Sequence, residues 1–160
     1  MPPRIPTHSR LVRWALLVAT AGTALFALLP VTPPWQVRLL YASVCHQKAE
    51  RTLTLLGEPM AVCSRCAGLY FGAAVAVFLA AWMPRVLWWP HRFWFFAALL
   101  PTAIDATLPW LGLPQLTLVP RHFVAWPAGF AAGWFFALGI AFLVTNSKVT
   151  LEKSVEVGDG

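Results

Sequence analysis

Apolar residues fall in four long runs, separated by polar connections that proline punctuates. The runs cover residues 11–29, 66–83, 92–111 and 123–145. Each is close to the ~20 residues that cross a hydrocarbon core about 30 Å thick. Pro30 closes the first run, Pro84 closes the second, and Pro101 lies inside the third. The pattern predicts an all-α fold, a four-helix transmembrane bundle with a Cys/His-containing loop between helices 1 and 2. Residues 1–145 form its single domain, and residues 146–160 a polar, frayed C-terminal tail. Arg4, Arg10 and Arg13 precede the first run, as they would in a signal peptide. The run is longer than a signal-peptide apolar region and lacks a small-x-small cleavage pattern, so a retained helix is expected.

Small residues recur at every fourth position in two of the runs. The second carries Gly68, Gly72, Ala76 and Ala80; the fourth carries Ala125, Gly129, Gly133 and Ala137. That spacing keeps them on one helix face and lets two backbones approach closely. A contact between the second and fourth helices is therefore expected. Trp14, Trp35, Trp82, Trp88, Trp89, Trp94, Trp110 and Trp126 all sit near the proposed ends, as aromatic belts do. Trp134 alone falls mid-span.

Composition agrees with this picture. Hydrophobic residues make up 59% of the 160 and charged residues 11%, against about 25% charged in a soluble domain. The net charge of +6 comes from basic residues scattered between apolar runs. They read as topology signals and headgroup contacts, so membrane lipid is an expected partner and nucleic acid is not. A membrane protein partner or a homo-oligomer is compatible with the two small-residue faces. Four crossings put both termini on one side with seven basic residues, against five on the other. That split favours cytoplasmic termini in a bacterial inner membrane.

The connection between the first two helices carries the chemistry. It holds all three cysteines of the chain, Cys45, Cys63 and Cys66, together with His46. Cys63 and Cys66 stand three apart at a helix mouth, so their sulfurs share a face. The helix N-terminus favours thiolate, and Arg65 adds positive charge. Zinc takes four N or S donors in a tetrahedron, and Cys45 and His46 supply candidates for the remaining two. Adjacent residues rarely bind one ion together, so one of them is alternatively a supporting or catalytic group. A buried pair of small hydrophobes is the plain alternative for Cys63 and Cys66. Gly57 and Pro59 supply a turn that brings the two halves of the loop together. A c-type haem site is excluded, because Ala67 follows Cys66 where histidine is required.

Asp105 is the one acidic residue inside a predicted span, a functional candidate by virtue of its cost there. It lies in the half of the bilayer nearest the cysteine loop. Its alternative is a structural hydrogen bond closing the bundle near Pro101. Arg121 and His122 open the fourth helix on the same side, either as partners of Asp105 or as interfacial anchors. Glu50 reads as half of a solvated pair with His46. His8 and His91 fall on the opposite side.

The segments Cys45-His46-Gln47 with Glu50-Arg51, and Cys63-Ser64-Arg65-Cys66-Ala67-Gly68 with Tyr70 and Gly72, resemble the signature of a family of small bacterial membrane proteins, domain of unknown function 2085. The likeness runs from about Tyr41 to Gly133, counting Asp105 and the Gly129–Gly133 pair. Similar proteins carry an asparagine and an arginine just before the last helix's glycines. Here Arg121 sits further from Gly129, with Ala125 and Pro127 between. The resemblance implies a polytopic membrane protein with a polar cysteine–histidine centre, and it brings no reaction with it.

Three functions follow from these residues. One is a membrane metalloprotein, with Cys45, His46, Cys63 and Cys66 holding zinc and Asp105, Arg51 and Arg121 as candidate catalytic groups. With an open coordination position such an ion activates water at the membrane surface, on a lipid-linked substrate. The second is a thiol-disulfide or quinone oxidoreductase using Cys63 and Cys66, with Cys45 resolving. The third is a non-catalytic subunit of a membrane complex.

Overall fold

The computed structural model describes residues 10–31, 35–55, 57–83, 92–114 and 116–158. Arg4, His8, Arg85, Trp88, Trp89 and His91 lie outside the described residues. Among the described residues are five α-helices and one β-hairpin: α1 (Arg10–Leu28), α2 (Trp35–Ala42), β1 (Thr52–Leu55), β2 (Glu58–Cys63), α3 (Ser64–Trp82), α4 (Arg92–Thr107) and α5 (Leu118–Gly158). Among the described residues, four stretches are long and apolar enough to cross a membrane: Arg10–Val31, Ser64–Trp82, Phe93–Leu111 and Leu118–Ser147. They coincide with the four runs in the sequence, and the protein is a four-helix transmembrane bundle.

The expected contact between the second and fourth spans, α3 and α5, is the main seam of the bundle. A Cβ on Gly68 would collide with the carbonyl oxygen of His122, and one on Gly72 with that of Trp126. Across the seam, a Cβ on Gly129 would collide with the carbonyl of Leu69, and one on Gly133 with that of Ala73. Lipid tails are as apolar as leucine, so burial from water cannot drive this packing; dispersion between close backbones does. Beyond the glycines the seam continues through Ala76, Ala80, Ala137 and Ala141, with Val12 and Leu16 of α1 packed against it. Trp134, the mid-span tryptophan, is buried here with its ring stacked on Phe130. The large side chains elsewhere face outward: Trp14, Trp82 and Trp94 are each at least 60% exposed, as a lipid-facing belt requires.

α4 lies at the periphery against α5. Pro101 and Pro127 interrupt hydrogen bonding in α4 and α5, yet both helices continue through them. Close by, the Thr102 hydroxyl donates to the Val124 carbonyl at 3.0 Å and ties the two helices together. Neighbouring helices and threonine hydroxyls commonly compensate proline in membrane helices.

Two features differ from the sequence expectation. The connection between the first two spans is structured by α2 and an antiparallel hairpin, with Leu55 opposite Glu58, Thr54 opposite Pro59 and Thr52 opposite Cys63. Gly57 turns the hairpin at φ +86, where a side chain would be strained. The polar segment after Thr145, expected to fray, continues α5 as helix to Gly158.

Candidate metal centre at the loop face

Three anchors place the loop. The Tyr41 hydroxyl donates to the Phe26 carbonyl and pins α2 to the end of α1, with the Tyr41 and Phe26 rings 4.8 Å apart. An Arg38 guanidinium nitrogen donates to the Pro59 carbonyl at 3.2 Å, tying α2 to the hairpin. Gln47 adopts a left-handed φ of 48, uncommon for a residue with a side chain, and its amide donates to the Arg38 carbonyl at 2.6 Å. The chain thus folds back on α2 immediately after Cys45-His46. The backbone amide of Cys45 donates to the Tyr41 carbonyl at 2.9 Å, and Cys45 is buried.

The hairpin then delivers Cys63 to the mouth of α3, where it is the N-cap residue. Its backbone amide, which has no partner within the helix, donates to the Cys45 sulfur at 3.2 Å. Cys66 follows one turn later. The sulfurs of Cys45, Cys63 and Cys66 all lie within 4.8 Å of one another. A hydrogen bond from the Cys66 thiol holds Cys63 down to about 5, against burial, which raises it. All three cysteines are free.

The donor set passes a geometric test for a tetrahedral ion. Zinc–sulfur bonds of about 2.3 Å at the tetrahedral angle separate sulfurs by roughly 3.8 Å. Sulfurs already within 4.8 Å reach that spacing by small side-chain movements. Three soft ligands suit zinc better than a hard oxygen-seeking ion. His46 does not join the group: it is exposed and faces the adjoining cavity, while its neighbour Cys45 turns inward.

Beside the thiols lies a cavity of about 370 Å³. Lys48, Arg51, Arg65 and Arg121 line it, together with His46 and the three cysteines. Behind it, Asp105 of α4 is 1% exposed and fully engaged. Its Oδ2 accepts from Arg65, with Nε at 3.1 Å and a closer contact from Nη2. The Arg121 Nε lies 3.4 Å from the same oxygen, and the Leu116 amide donates to Oδ1 at 3.4 Å. One carboxylate therefore joins α3, α4 and α5 through two guanidinium groups. A buried charge is tolerable only with such compensation.

Of the sequence candidates, Asp105 and Arg121 meet each other, Arg51 lines the cavity from the hairpin side, and Asp105 stands off the thiols. Glu50 is exposed. Arg65 does more than its sequence position suggested: besides neighbouring the cysteines, it is the main partner of Asp105. The signal was the lone intramembrane carboxylate, which demands a cation, and Arg65 opens the adjacent helix. His122 has a structural part. Its Nδ1 lies 3.2 Å from the Ser64 carbonyl, so that nitrogen carries the proton. The Ser64 hydroxyl donates to the Leu118 carbonyl. These bonds lock the mouths of α3 and α5 together and fix Cys63, Arg65 and Arg121 relative to one another.

The fold and this loop define a four-span helical membrane protein with a three-thiol centre at one membrane face. The chain belongs to the DUF2085 family of predicted membrane proteins, whose model matches residues 45–135. The matched segment begins at Cys45 and includes all three cysteines, Asp105 and Arg121. An uncharacterized protein of Methanocaldococcus jannaschii is 31% identical over 111 residues, covering 68% of this chain and 70% of the relative. An uncharacterized protein of Methanothermobacter thermautotrophicus is 31% identical over 93 residues, covering 58% of this chain and 84% of the relative. These relatives are archaeal, so the likeness reaches beyond the bacterial proteins of the sequence expectation. No solved structure matches the chain.

Proposed function

We propose that this protein is a membrane metalloprotein that holds zinc on the thiolates of Cys45, Cys63 and Cys66 and acts on a lipid-linked substrate at the membrane surface. The observation that carries the reading is the approach of three sulfurs to within 4.8 Å of one another at a helix mouth. Three protein ligands leave one tetrahedral position, the arrangement of catalytic rather than closed structural zinc sites. An ion held by these three residues would supply Lewis acidity and an activated water. The protein's own groups line the adjoining cavity: His46 stands exposed at its wall as a proton carrier, and Arg51 and Arg121 offer positive charge to a developing anion. Asp105 orients Arg65 and Arg121 and does not itself reach the thiols.

We place the protein in the cytoplasmic membrane with both termini in the cytoplasm, supported by the seven-to-five split of basic residues. The thiol centre then faces outward.

A specific observation favours a second reading, thiol–disulfide exchange. Cys63 and Cys66 form a Cys-x-x-Cys pair with Cys63 held down to about 5 and a third thiol within reach. One measurement separates the two. Elemental analysis of gently purified protein, beside thiol titration, is expected to give stoichiometric zinc that Cys63→Ser loses. Metal-free protein with one disulfide and one free thiol would replace the metal reading with the redox one.

A further inference from the structure

We propose that the cavity beside the thiols is a recognition site for a phosphate group, carried either by a membrane amphiphile or by a soluble compound. The inference names the substrate class of the surface site proposed above. It rests on that reading for the chemistry performed there, and on the cavity's own cations for the binding.

Charge is the first argument. Lys48, Arg51, Arg65 and Arg121 face the cavity and, among the described residues, no carboxylate lines it. Asp105 backs two of the four, at Arg65 and Arg121, which leaves an excess of three positive charges. A divalent ion on three thiolates would cancel one of them. The remainder matches a doubly charged phosphate monoester. Among the described residues, neither Lys48 nor Arg51 makes an ion pair, so both are available to a ligand. Asp105 also spans two guanidinium groups and holds them in place beforehand, which lowers the cost of ordering them around an anion.

Shape is the second argument. A planar guanidinium presents paired donors that fit phosphate oxygens in bidentate fashion, and lysine adds a mobile point charge. Three arginines and one lysine on one cavity form a phosphate set rather than a generic basic surface. At about 370 Å³ the cavity is within the range of small-molecule pockets, about 300–1,000 Å³. That is ample for a phosphate together with the polar part of the molecule bearing it. Val44 forms part of the cavity wall and is 58% exposed, with exposed Leu40 one turn earlier in the chain. The cavity therefore has an apolar margin at the headgroup level, where an acyl or prenyl chain could leave it for the bilayer.

The test uses the full chain in dodecyl maltoside micelles. Calorimetric titration is made with inorganic phosphate, with dihexanoyl phosphatidic acid, and with dihexanoyl phosphatidylcholine as the zwitterionic control, and zinc is measured on every sample. Saturable binding of phosphatidic acid or inorganic phosphate is expected, with phosphatidylcholine far weaker. Lys48→Gln and Arg51→Gln should each weaken it by about tenfold, since each removes a charge-assisted bond. Arg51→Lys should recover part of the loss, and Arg13→Gln at the far end of α1 should change nothing. Tighter binding of phosphatidic acid than of inorganic phosphate assigns the amphiphile as the source; equal binding assigns a soluble phosphate compound. Failure of both probes to bind overturns the inference, as does binding that Lys48→Gln and Arg51→Gln leave unchanged. Cys63→Ser distinguishes the two proposals. Cys63→Ser that has lost its zinc yet binds phosphate supports both, whereas wild-type protein that contains no zinc yet binds phosphate sinks the metal reading alone. Zinc-loaded wild type that binds neither probe sinks the phosphate inference alone. Loss of phosphate binding together with zinc would seat the anion on the metal and overturn its assignment to the cations.

Discussion

Gly133→Ala is expected to lower stability, and Gly139→Ala, six positions further along α5, to leave it equal or slightly raised. At Gly133 an added Cβ would lie 2.7 Å from the Cα and 2.9 Å from the carbonyl carbon of Ala73, and closer still to its oxygen. These are backbone atoms with no rotamer to change, so the helices themselves must part. Ordinary contact begins at 3.4 Å, so restoring it needs an opening of about 0.7 Å at the Cα alone. A radial gap of that size forfeits roughly a quarter to a half of each contact's dispersion energy along the seam. In a bilayer no hydrophobic force compensates. The expected cost is about 2–3 kcal/mol, the upper part of the usual range for overpacking. At Gly139 nothing lies within 4 Å of the added Cβ, and alanine's better helix propensity, up to about 1 kcal/mol, leaves stability equal or slightly raised. The assay is thermal unfolding in detergent, followed by tryptophan fluorescence and by monodispersity after heating. A melting temperature lowered by roughly 5 °C or more for Gly133→Ala, and unchanged or raised for Gly139→Ala, is the expected pair of results. Equal melting temperatures for both variants would refute the claim that backbone contact holds α3 to α5.

Asp105→Asn should cost about 3–5 kcal/mol, because it leaves buried cationic charge without its anion. Arg65→Gln should cost less, since the Arg65 side chain is a quarter exposed while Arg121 is nearly buried; the reverse order in a denaturation series would contradict the assigned geometry. Cys45→Ser should lose bound zinc as completely as Cys63→Ser, by elemental analysis, whereas His46→Ala should retain it. In metal-free protein the Cys63 thiol is lowered to about 5, so it is thiolate from there upward and its contribution to stability is lost as pH falls through that value. Iodoacetamide labelling of Cys63 should therefore inflect near pH 5, and an inflection near 9 would show no such depression. Reporter fusions at Gly57 and Gly160 should land on opposite faces of the membrane, and both on one face would break the four-crossing topology.

The spans were legible because a bilayer imposes one strong rule, a continuous apolar helix of fixed length. The seam between α3 and α5 was legible for a similar reason: Gly68, Gly72, Gly129 and Gly133 repeat with the helical period, and small residues are what close backbone packing requires. Cys63 and Cys66 could be paired by spacing alone. The loop was harder. Thr52–Leu55 does alternate polar and apolar residues and Gly57 does mark a turn, but four residues followed by Pro59 is a weak strand signal. His46 could not be separated from Cys45 by composition, since neighbours in an extended segment face opposite ways and only the fold chooses which turns inward. The pairing of Arg65 with Asp105 spans forty residues and leaves no periodic trace. What the sequence did offer was the electrostatic demand of a buried carboxylate, without naming the cation that meets it.

The length of α5 has a consequence beyond the bundle. Its apolar stretch ends at Ser147, yet the helix runs eleven residues further, to Gly158. At 1.5 Å per residue that is about 16 Å of helix beyond the apolar stretch. An unstructured tail would let an attached domain wander over the membrane surface. A helix continuous with a transmembrane span instead acts as a mast, fixing both height and azimuth. Whatever is joined or docked at the C-terminal end is held at a set distance and bearing, and rotation of α5 against α3 would swing it. The seam of glycines that locks α5 against α3 therefore also sets the bearing of that mast.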